Sequence, residues 1–199
     1  MCAECEINLP QTNYHTWVKN PLFKIFTSIP NLNSAQAFLK YERISIARRI
    51  LHAVKYEKLP EIGWWLAKKY GTFLIKKLQN ADFIVPVPAH VKKLSDRGYN
   101  QAVYIAAGLS EATGIPVLDK VVIKKKETIS QTKRSRVDRW LNMNEVFELK
   151  DEQMMIPGKH LVIVDDVITT GATISNMSHA LKDASEISIV AIATGVGYS

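Results

Sequence analysis

The chain has 199 residues, of which 47% are hydrophobic and 23% charged. This length fits one globular domain with a small appendage, and this composition excludes a disordered protein. Lys and Arg number 26 against 19 Asp and Glu, which gives a formal net charge of +7. A basic balance favours anionic partners such as nucleotides, sugar phosphates or nucleic acid, although in many proteins it serves solubility alone.

Location and metal content are constrained by two further features of the sequence. No apolar stretch reaches the roughly 18 residues of a membrane span, and the N-terminus lacks a signal-peptide pattern. We therefore expect a cytoplasmic protein without membrane insertion. Cys2 and Cys5 form a single CxxC, which supplies two of the four ligands that structural zinc needs, so we expect no zinc.

The N-terminal segment is polar and contains Pro10, Pro21 and Pro30. This punctuation predicts an irregular arm over residues 1–34, followed by one domain over 35–199. Helical spacing of apolar residues then predicts two helices, over 43–57 and 61–79. The positions expected to face the core are Ile44, Ala47, Leu51 and Val54 in the first helix and Ile62, Leu66, Phe73 and Leu74 in the second.

Strands and helices alternate in the remainder of the chain. The run DFIVPVPAH predicts a buried strand that opens into a loop near Pro86, and a helix is expected over 101–113 with Gly114 as its stop. Further strands are expected at VLDKVVI, which follows Pro116, at LVIV and at ISIVAIA, with a helix over 174–181 between the last two. This alternation predicts an α/β fold with a parallel sheet core flanked by helices.

The segment VIVDDVITTGAT, from Val162 to Thr173, contains the pattern most specific for a function. The apolar run is expected to end at Asp165 and Asp166, at the edge of the sheet where α/β proteins bind ligands. Two adjacent carboxylates there can accept hydrogen bonds from the 2′ and 3′ hydroxyls of a ribose. The alternative is a strand-to-helix junction in which these residues serve only as caps.

The residues after the acidic pair are small and rich in hydroxyl groups. Backbone N–H groups at a helix N-terminus bind anions, and Gly171 permits the tight turn that wrapping a phosphate requires. The predicted phosphate cradle comprises Thr169, Thr170, Gly171, Ala172 and Thr173.

This segment resembles the signature loop of type I phosphoribosyltransferases. Together with DFIVPVPAH, KKLSDRGYNQA and SQTKRSRVDRWLN, in that order, it is similar to the ComF family of competence-associated proteins over about residues 35–196. The resemblance implies a type I phosphoribosyltransferase-like fold that binds phosphoribosyl pyrophosphate with Mg²⁺. It implies either transfer of the phosphoribosyl group, with Asp165 and Asp166 as catalytic residues, or a non-catalytic role in DNA uptake and natural transformation, with single-stranded DNA and DNA-uptake proteins as partners.

The same resemblance suggests roles for other positions. Pro86, Val87 and Pro88 occupy the place of the pyrophosphate loop. Arg97 is a candidate phosphate clamp because a guanidinium matches phosphate oxygens in pairs, with a solvated surface arginine as the alternative.

A basic segment before the signature loop is a candidate flap over the substrate or a contact for nucleic acid. A solvated basic loop is the alternative for both roles. The flap residues are Gln131, Arg134, Arg136 and Arg139, and further candidates for DNA contact are Lys124, Lys125, Lys126 and Trp140.

ComF relatives often carry an N-terminal zinc module with four cysteines. The arm over 1–34 therefore resembles a remnant of such a zinc ribbon, either because an upstream CxxC precedes this start or because the site has been lost. No motif identifies an acceptor base or amine, and the sequence leaves the oligomeric state open.

Overall fold

The computed structural model describes residues 6–125, 146–150 and 155–197, without the side chains of residues 91–93, 125 and 146. In chain order, the elements are α1 (Pro21–Ile25), β1 (Leu32–Lys40), α2 (Ile46–Tyr56), α3 (Pro60–Leu74), β2 (Phe83–Pro86), α4 (Val91–Arg97), α5 (Gln101–Thr113), β3 (Val122–Lys125), β4 (Val146–Leu149), β5 (His160–Ile168), α6 (Ala172–Ala180) and β6 (Glu186–Thr194).

Four strands form the central sheet in the order β1-β6-β5-β2, and all neighbouring pairs are parallel. The runs LVIV and ISIVAIA lie in β5 and β6, whose apolar residues are buried on both faces, as expected for parallel strands between helices. The predicted α/β fold with a parallel core is therefore confirmed.

The strand expected after Pro116 differs from the prediction. Val117 makes only an isolated parallel bridge to Ile84, beyond the β2 edge of the sheet. Regular pairing begins at Val122, where β3 and β4 form a separate antiparallel ribbon. The apolar residues of this segment predicted a strand, but sequence alone does not reveal which strand it pairs with.

Helices α2, α3 and α5 cover one face of the sheet, and α6, the β3–β4 ribbon and the N-terminal arm cover the other. Helices α3 and α5 pack closely because position 108 is a glycine. A Cβ atom at Gly108 would lie 2.1 Å from the carbonyl oxygen of Trp64. This contact fixes the layer that supports the carboxyl edge of the sheet.

Two expected core positions were wrong. Ile44 is 95% exposed because α2 begins only at Ile46, after Ser45 caps its first turn by accepting a hydrogen bond from the Arg48 N–H. Phe73 is also exposed, and its ring stacks on His15 of the arm instead of packing in the core.

The N-terminal arm contains more regular secondary structure than its three prolines predict. It contains a 3-10 turn at Tyr14–Thr16 and helix α1, in which Asn20 accepts a hydrogen bond from the Phe23 N–H. Strand β1 already begins at Leu32, inside the segment predicted as arm. Apolar side chains of the arm lie in the main core, which explains why so short a segment is ordered: Tyr14, Leu22, Phe26 and Ile29.

Within the described part of the chain, no helix is both long enough and apolar enough to cross a membrane.

Candidate functional site

The acidic pair lies within β5 and not beyond its end. The sequence predicted that the strand stops at Asp165, but β5 continues to Ile168 because β6 runs beside it as far as Thr194. Successive residues of a strand point to opposite faces, so the carboxylates of Asp165 and Asp166 start from opposite sides of the sheet.

Both carboxylates nevertheless line one cleft of about 190 Å³, here called the acidic cleft. Strand β2 ends at Pro86, opposite Val164, so one edge of β5 has no paired strand at the acidic residues. The chain leaves this edge through Val87 and Pro88, which form part of the cleft wall. The uncovered edge is the reason that two side chains on opposite faces reach the same space.

Asp166 is 4% exposed and is held by two partners from the helical layer. Its Oδ2 atom lies 3.0 Å from the Nζ of Lys55 in α2 and accepts a hydrogen bond of 2.8 Å from Nε2 of Gln101 in α5. Gln101 in turn accepts a hydrogen bond of 3.1 Å from Nη1 of Arg97. The buried carboxylate is therefore compensated in charge and fixed in orientation before any ligand binds.

Asp165 is partly exposed and turned back on its own backbone. Its Oδ1 atom accepts a hydrogen bond of 2.8 Å from the N–H of Asp166. This contact orients the carboxylate, and carboxylate oxygens accept hydrogen bonds from donors such as sugar hydroxyls.

The predicted phosphate cradle is only partly assembled around the acidic cleft. Gly171 has a φ of 80° and directly precedes α6, so the left-handed turn expected at this glycine is present. Thr173 lines the cleft, whereas Thr169, Thr170 and Ala172 are exposed. Thr173 therefore brings the start of α6 to the cleft, and backbone N–H groups at a helix N-terminus can hold an anion.

The predicted pyrophosphate loop lies on the opposite wall of this cleft. Pro86 is buried at the end of β2, and Val87 and Pro88 border the space. Asn100 supports the loop, since its Nδ2 donates to the carbonyl of Val87 while its Oδ1 accepts from the N–H of Ala102 at the start of α5.

Arg97 also lines the acidic cleft, at the end of α4. Its hydrogen-bond partner in α5 is a neutral amide, and its guanidinium lies 5.0 Å from the ring centroid of Tyr56. The guanidinium is thus oriented by an aromatic ring and an amide, which suits a phosphate clamp.

Several predicted residues lie outside the described residues, and their roles remain predictions. They are the zinc candidates Cys2 and Cys5, the flap residues Gln131, Arg134, Arg136 and Arg139, and the DNA candidates Lys126 and Trp140. The side chain of Lys125 is likewise not described, whereas Lys124 lines the acidic cleft and its ammonium lies 5.7 Å from the ring centroid of Phe147.

No group of three or more His, Cys, Asp or Glu side chains suited to holding a metal ion occurs among the residues that the structure describes.

Sequence reasoning missed Lys55, Asn100 and Gln101 as site residues. The motif RGYNQ contains the last two, and a polar pair at the start of a predicted helix could have indicated them. Lys55 had no such signal, because it lies 110 positions before Asp165 and reaches the acidic pair only through the packing of α2.

Comparison with curated proteins identifies relatives of the chain. Competence protein F of Haemophilus influenzae is 36% identical over 106 residues, which are 53% of this chain and 46% of that protein. Competence protein ComFC of Streptococcus pneumoniae is 33% identical over 122 residues, 60% of this chain and 51% of the relative. Over these spans the chain is similar to the ComF competence proteins.

A third relative is the DNA utilization protein YhgH of Escherichia coli K12, 28% identical over 137 residues, or 66% of this chain and 59% of that protein. The chain thus spans about half the length of the curated relatives it matches. No family model matches the sequence.

Solved structures that align with part of the chain include phosphoribosyltransferases. An adenine phosphoribosyltransferase aligns over 69% of this chain and 72% of its own, at 15% identity and a TM-score of 0.45. Glutamine phosphoribosylpyrophosphate amidotransferase from B. subtilis aligns over 64% of this chain and 26% of its own, at 23% identity and a TM-score of 0.41. The strand pairing by itself shows an α/β fold with a parallel core flanked by helices.

Proposed function

We propose that this ComF relative binds phosphoribosyl pyrophosphate in the acidic cleft. The observation that supports the proposal is the meeting of four features in one space: the carboxylates of Asp165 and Asp166, the start of α6, the proline loop and Arg97. Phosphoribosyl pyrophosphate carries vicinal hydroxyls on C2 and C3 and anionic groups on C1 and C5, and the lining of the cleft includes both carboxylate acceptors and cationic donors.

Each wall of the cleft would contact a different part of this ligand. Asp165 and Asp166 would accept hydrogen bonds from the 2′ and 3′ hydroxyls of the ribose. The backbone N–H groups that follow Gly171 would hold the 5′-phosphate, with Thr173 as an additional donor. Arg97 and the loop at Val87 would contact the pyrophosphate.

Mg²⁺ would enter with the ligand and offset the charge of the pyrophosphate. The residues of the chain would bind and orient the ligand. The carboxylates would orient the ribose and stabilise positive charge that develops on the ring, and Lys55 would keep Asp166 in place.

We further propose that a group-transfer reaction, if the chain catalyses one, breaks the bond between ribose C1 and the pyrophosphate oxygen. A bond from C1 to a nitrogen nucleophile forms, pyrophosphate leaves, and the nucleophile loses a proton. The flap residues Gln131, Arg134, Arg136 and Arg139 would exclude water from the activated C1 centre.

Titration calorimetry with phosphoribosyl pyrophosphate and Mg²⁺ tests the binding proposal. We expect the wild type to bind and the double variant Asp165→Asn/Asp166→Asn to lose binding, while Asp119→Asn, an exposed acid-to-amide control, behaves like the wild type. Thermal unfolding of each variant establishes that the fold is retained. Absence of binding by the wild type, or equal binding by the double variant, contradicts the site.

Release of pyrophosphate in the presence of purines, pyrimidines and amines tests turnover separately. Release that depends on one acceptor supports a transferase. Binding without release with any of these acceptors favours the second candidate function.

That second candidate is a non-catalytic factor that binds single-stranded DNA during DNA uptake and natural transformation. The names of the relatives, competence protein and DNA utilization protein, favour it, as does the net charge of +7. On this proposal the chain acts in the cytoplasm with DNA-uptake proteins. A salt series with labelled single-stranded DNA tests it, because affinity that rests on phosphate contacts falls steeply with salt, whereas salt-independent binding argues against it.

A further inference from the structure

A second cleft lies next to the acidic cleft, between α2 and the α4–α5 connection. Its volume is about 300 Å³, which lies at the lower end of the range for small-molecule sites. We call it the tyrosine cleft, and its lining residues are Lys55, Tyr56, Lys58, Asp96, Arg97 and Tyr99.

The tyrosine cleft has an excess of positive charge. Three of its side chains are cationic, namely Lys55, Lys58 and Arg97, and Asp96 is its one acid. Lys55 is shared with Asp166 of the neighbouring cleft, whereas Arg97 hydrogen-bonds to a neutral amide. An anionic ligand of low charge, such as a phosphate monoester, suits this balance.

The tyrosine cleft also contains two aromatic side chains, Tyr56 and Tyr99. Tyr56 is 64% exposed, and the Arg97 guanidinium lies over its ring at 5.0 Å. Tyr99 is held rigidly by a hydrogen bond of 2.5 Å from its hydroxyl to the carbonyl of Val54, and its ring meets that of Tyr104 edge to face. The ring of His52 also contacts that of Tyr56, so the exposed part of the Tyr56 ring is the surface that a planar base would contact. The restrained ring of Tyr99 would lose little entropy on binding.

We propose that the tyrosine cleft binds a nucleotide, with its base against Tyr56 and its phosphate near Lys58 and Arg97. Cations alone would suit any phosphate, and exposed tyrosine alone would suit many apolar groups. Their combination in one space selects a ligand in which a phosphate is joined to a planar ring. The nucleotide is either free or part of a single strand.

The two clefts share Lys55 and Arg97, so a nucleotide in one lies beside a ligand in the other. The inference does not rest on phosphoribosyl pyrophosphate binding. The tyrosine cleft has its own residues, Tyr56, Lys58 and Tyr99, which do not line the acidic cleft.

Calorimetry with thymidine 5′-monophosphate tests the inference, because this probe lacks the 2′-hydroxyl of a ribose. We expect it to bind at least about fivefold more tightly than thymidine, which lacks the phosphate, and than 2-deoxyribose 5-phosphate, which lacks the base. The variants Tyr56→Leu and Lys58→Gln should each weaken nucleotide binding about fivefold or more, and the exposed control Lys182→Gln should change it less than about twofold.

A short thymidine oligonucleotide distinguishes a site for a free nucleotide from a site for a nucleotide within a single strand. Tighter binding than the mononucleotide, with the same losses in Tyr56→Leu and Lys58→Gln, assigns the cleft to a strand, and equal binding assigns it to a free nucleotide. Both results support a nucleotide site.

The variant Asp165→Asn separates this inference from the proposed function. Nucleotide binding that falls with Asp165→Asn but not with Tyr56→Leu places the nucleotide in the acidic cleft and overturns the inference. Binding of 2-deoxyribose 5-phosphate as tightly as of the nucleotide, or no nucleotide binding at all, also overturns it.

Discussion

Asp166 joins three elements of the fold at one side chain. It belongs to β5, accepts a hydrogen bond from Gln101 of α5 and lies 3.0 Å from the ammonium of Lys55 in α2. The acidic pair could be recognised from sequence because its position after a buried apolar run is a local pattern. Lys55 could not, because its approach to Asp166 depends on how α2 packs on the sheet.

The burial of this ion pair makes it more strongly coupled than an exposed pair. In a double-mutant cycle with Lys55→Met and Asp166→Asn, we expect a coupling free energy of about 1–3 kcal/mol, since each single variant leaves a partly desolvated polar group without its partner. Urea unfolding of the four proteins measures it.

The pair Lys68 and Glu111 is the matched control, because both side chains are more than 40% exposed. Its coupling should be about 0–1 kcal/mol. Equal coupling in the two cycles would show that burial adds nothing to the Lys55–Asp166 contact.

The contacts of Asp82 should make the free energy of unfolding depend on pH. Its carboxylate accepts a hydrogen bond of 2.9 Å from the N–H of His160 and one of 3.0 Å from Nζ of Lys159, at the start of β5. These contacts, that of the backbone N–H first, lower the pKa of Asp82 below its ordinary value of 3.8. The unfolded chain therefore takes up the proton first, and the stabilisation is present above 3.8 and lost as pH falls through the lower pKa of the folded state.

We expect Asp82→Asn to lower stability at neutral pH and to flatten the acid side of the stability profile. Urea unfolding between about pH 6 and pH 2.5 measures the slope. The control Asp119→Asn should keep the slope of the wild type. A slope unchanged in Asp82→Asn would contradict the assigned role of this carboxylate.

At the scale of elements, local signals predicted some boundaries and not others. The bounds of α5 were predicted correctly because Asn100 caps its start and Gly114 adopts the left-handed conformation at its end. The end of β5 was not, because its extension depends on pairing with β6, which is a non-local contact. The pairing of β3 with β4 was missed for the same reason.

The junction between β5 and α6 requires glycine for two reasons. Gly171 has a φ of 80°, and a Cβ atom there would lie 2.7 Å from the ring of Phe26. We expect Gly171→Ala to shift the start of α6 and to weaken binding of phosphoribosyl pyrophosphate by about tenfold, a loss of roughly 1.4 kcal/mol. Calorimetry with Mg²⁺ present measures the change.

Gly158 provides the matched control for this substitution. Its φ of 72° is similar, but no atom lies within 4 Å of the position of its Cβ. Gly158→Ala should therefore cost stability of about 1–2 kcal/mol without affecting ligand affinity. An equal effect of both variants on affinity would argue against a role of the Gly171 turn in the site.

At the scale of the whole molecule, the alternation of elements predicted the parallel sheet, but the role of the arm was not apparent. Prolines and polar residues suggested an irregular arm, and the spacing of Tyr14, Leu22 and Phe26 shows no regular period that would predict burial. These side chains fill one face of the sheet, next to α6. The arm is therefore part of the core that supports the acidic cleft.

Truncation of a single side chain tests this conclusion. Leu22 is fully buried, and we expect Leu22→Ala to lower the free energy of unfolding by about 2–5 kcal/mol through lost transfer energy and a residual cavity. Ile7 is 81% exposed, so Ile7→Ala should change stability by less than about 0.5 kcal/mol. Urea unfolding compares the two. A small effect of Leu22→Ala would indicate that the arm is dispensable for the core.

The central claim is that the acidic pair recognises the vicinal hydroxyls of a ribose. Competition calorimetry with ribose 5-phosphate and 2-deoxyribose 5-phosphate tests this claim most directly, since the two sugars differ by one hydroxyl. We predict that the wild type prefers ribose 5-phosphate by about tenfold or more, because a hydrogen bond to a charged acceptor contributes roughly 1.5–3 kcal/mol. The preference should disappear in Asp165→Asn/Asp166→Asn. Equal affinity of the wild type for both sugars would contradict the claim.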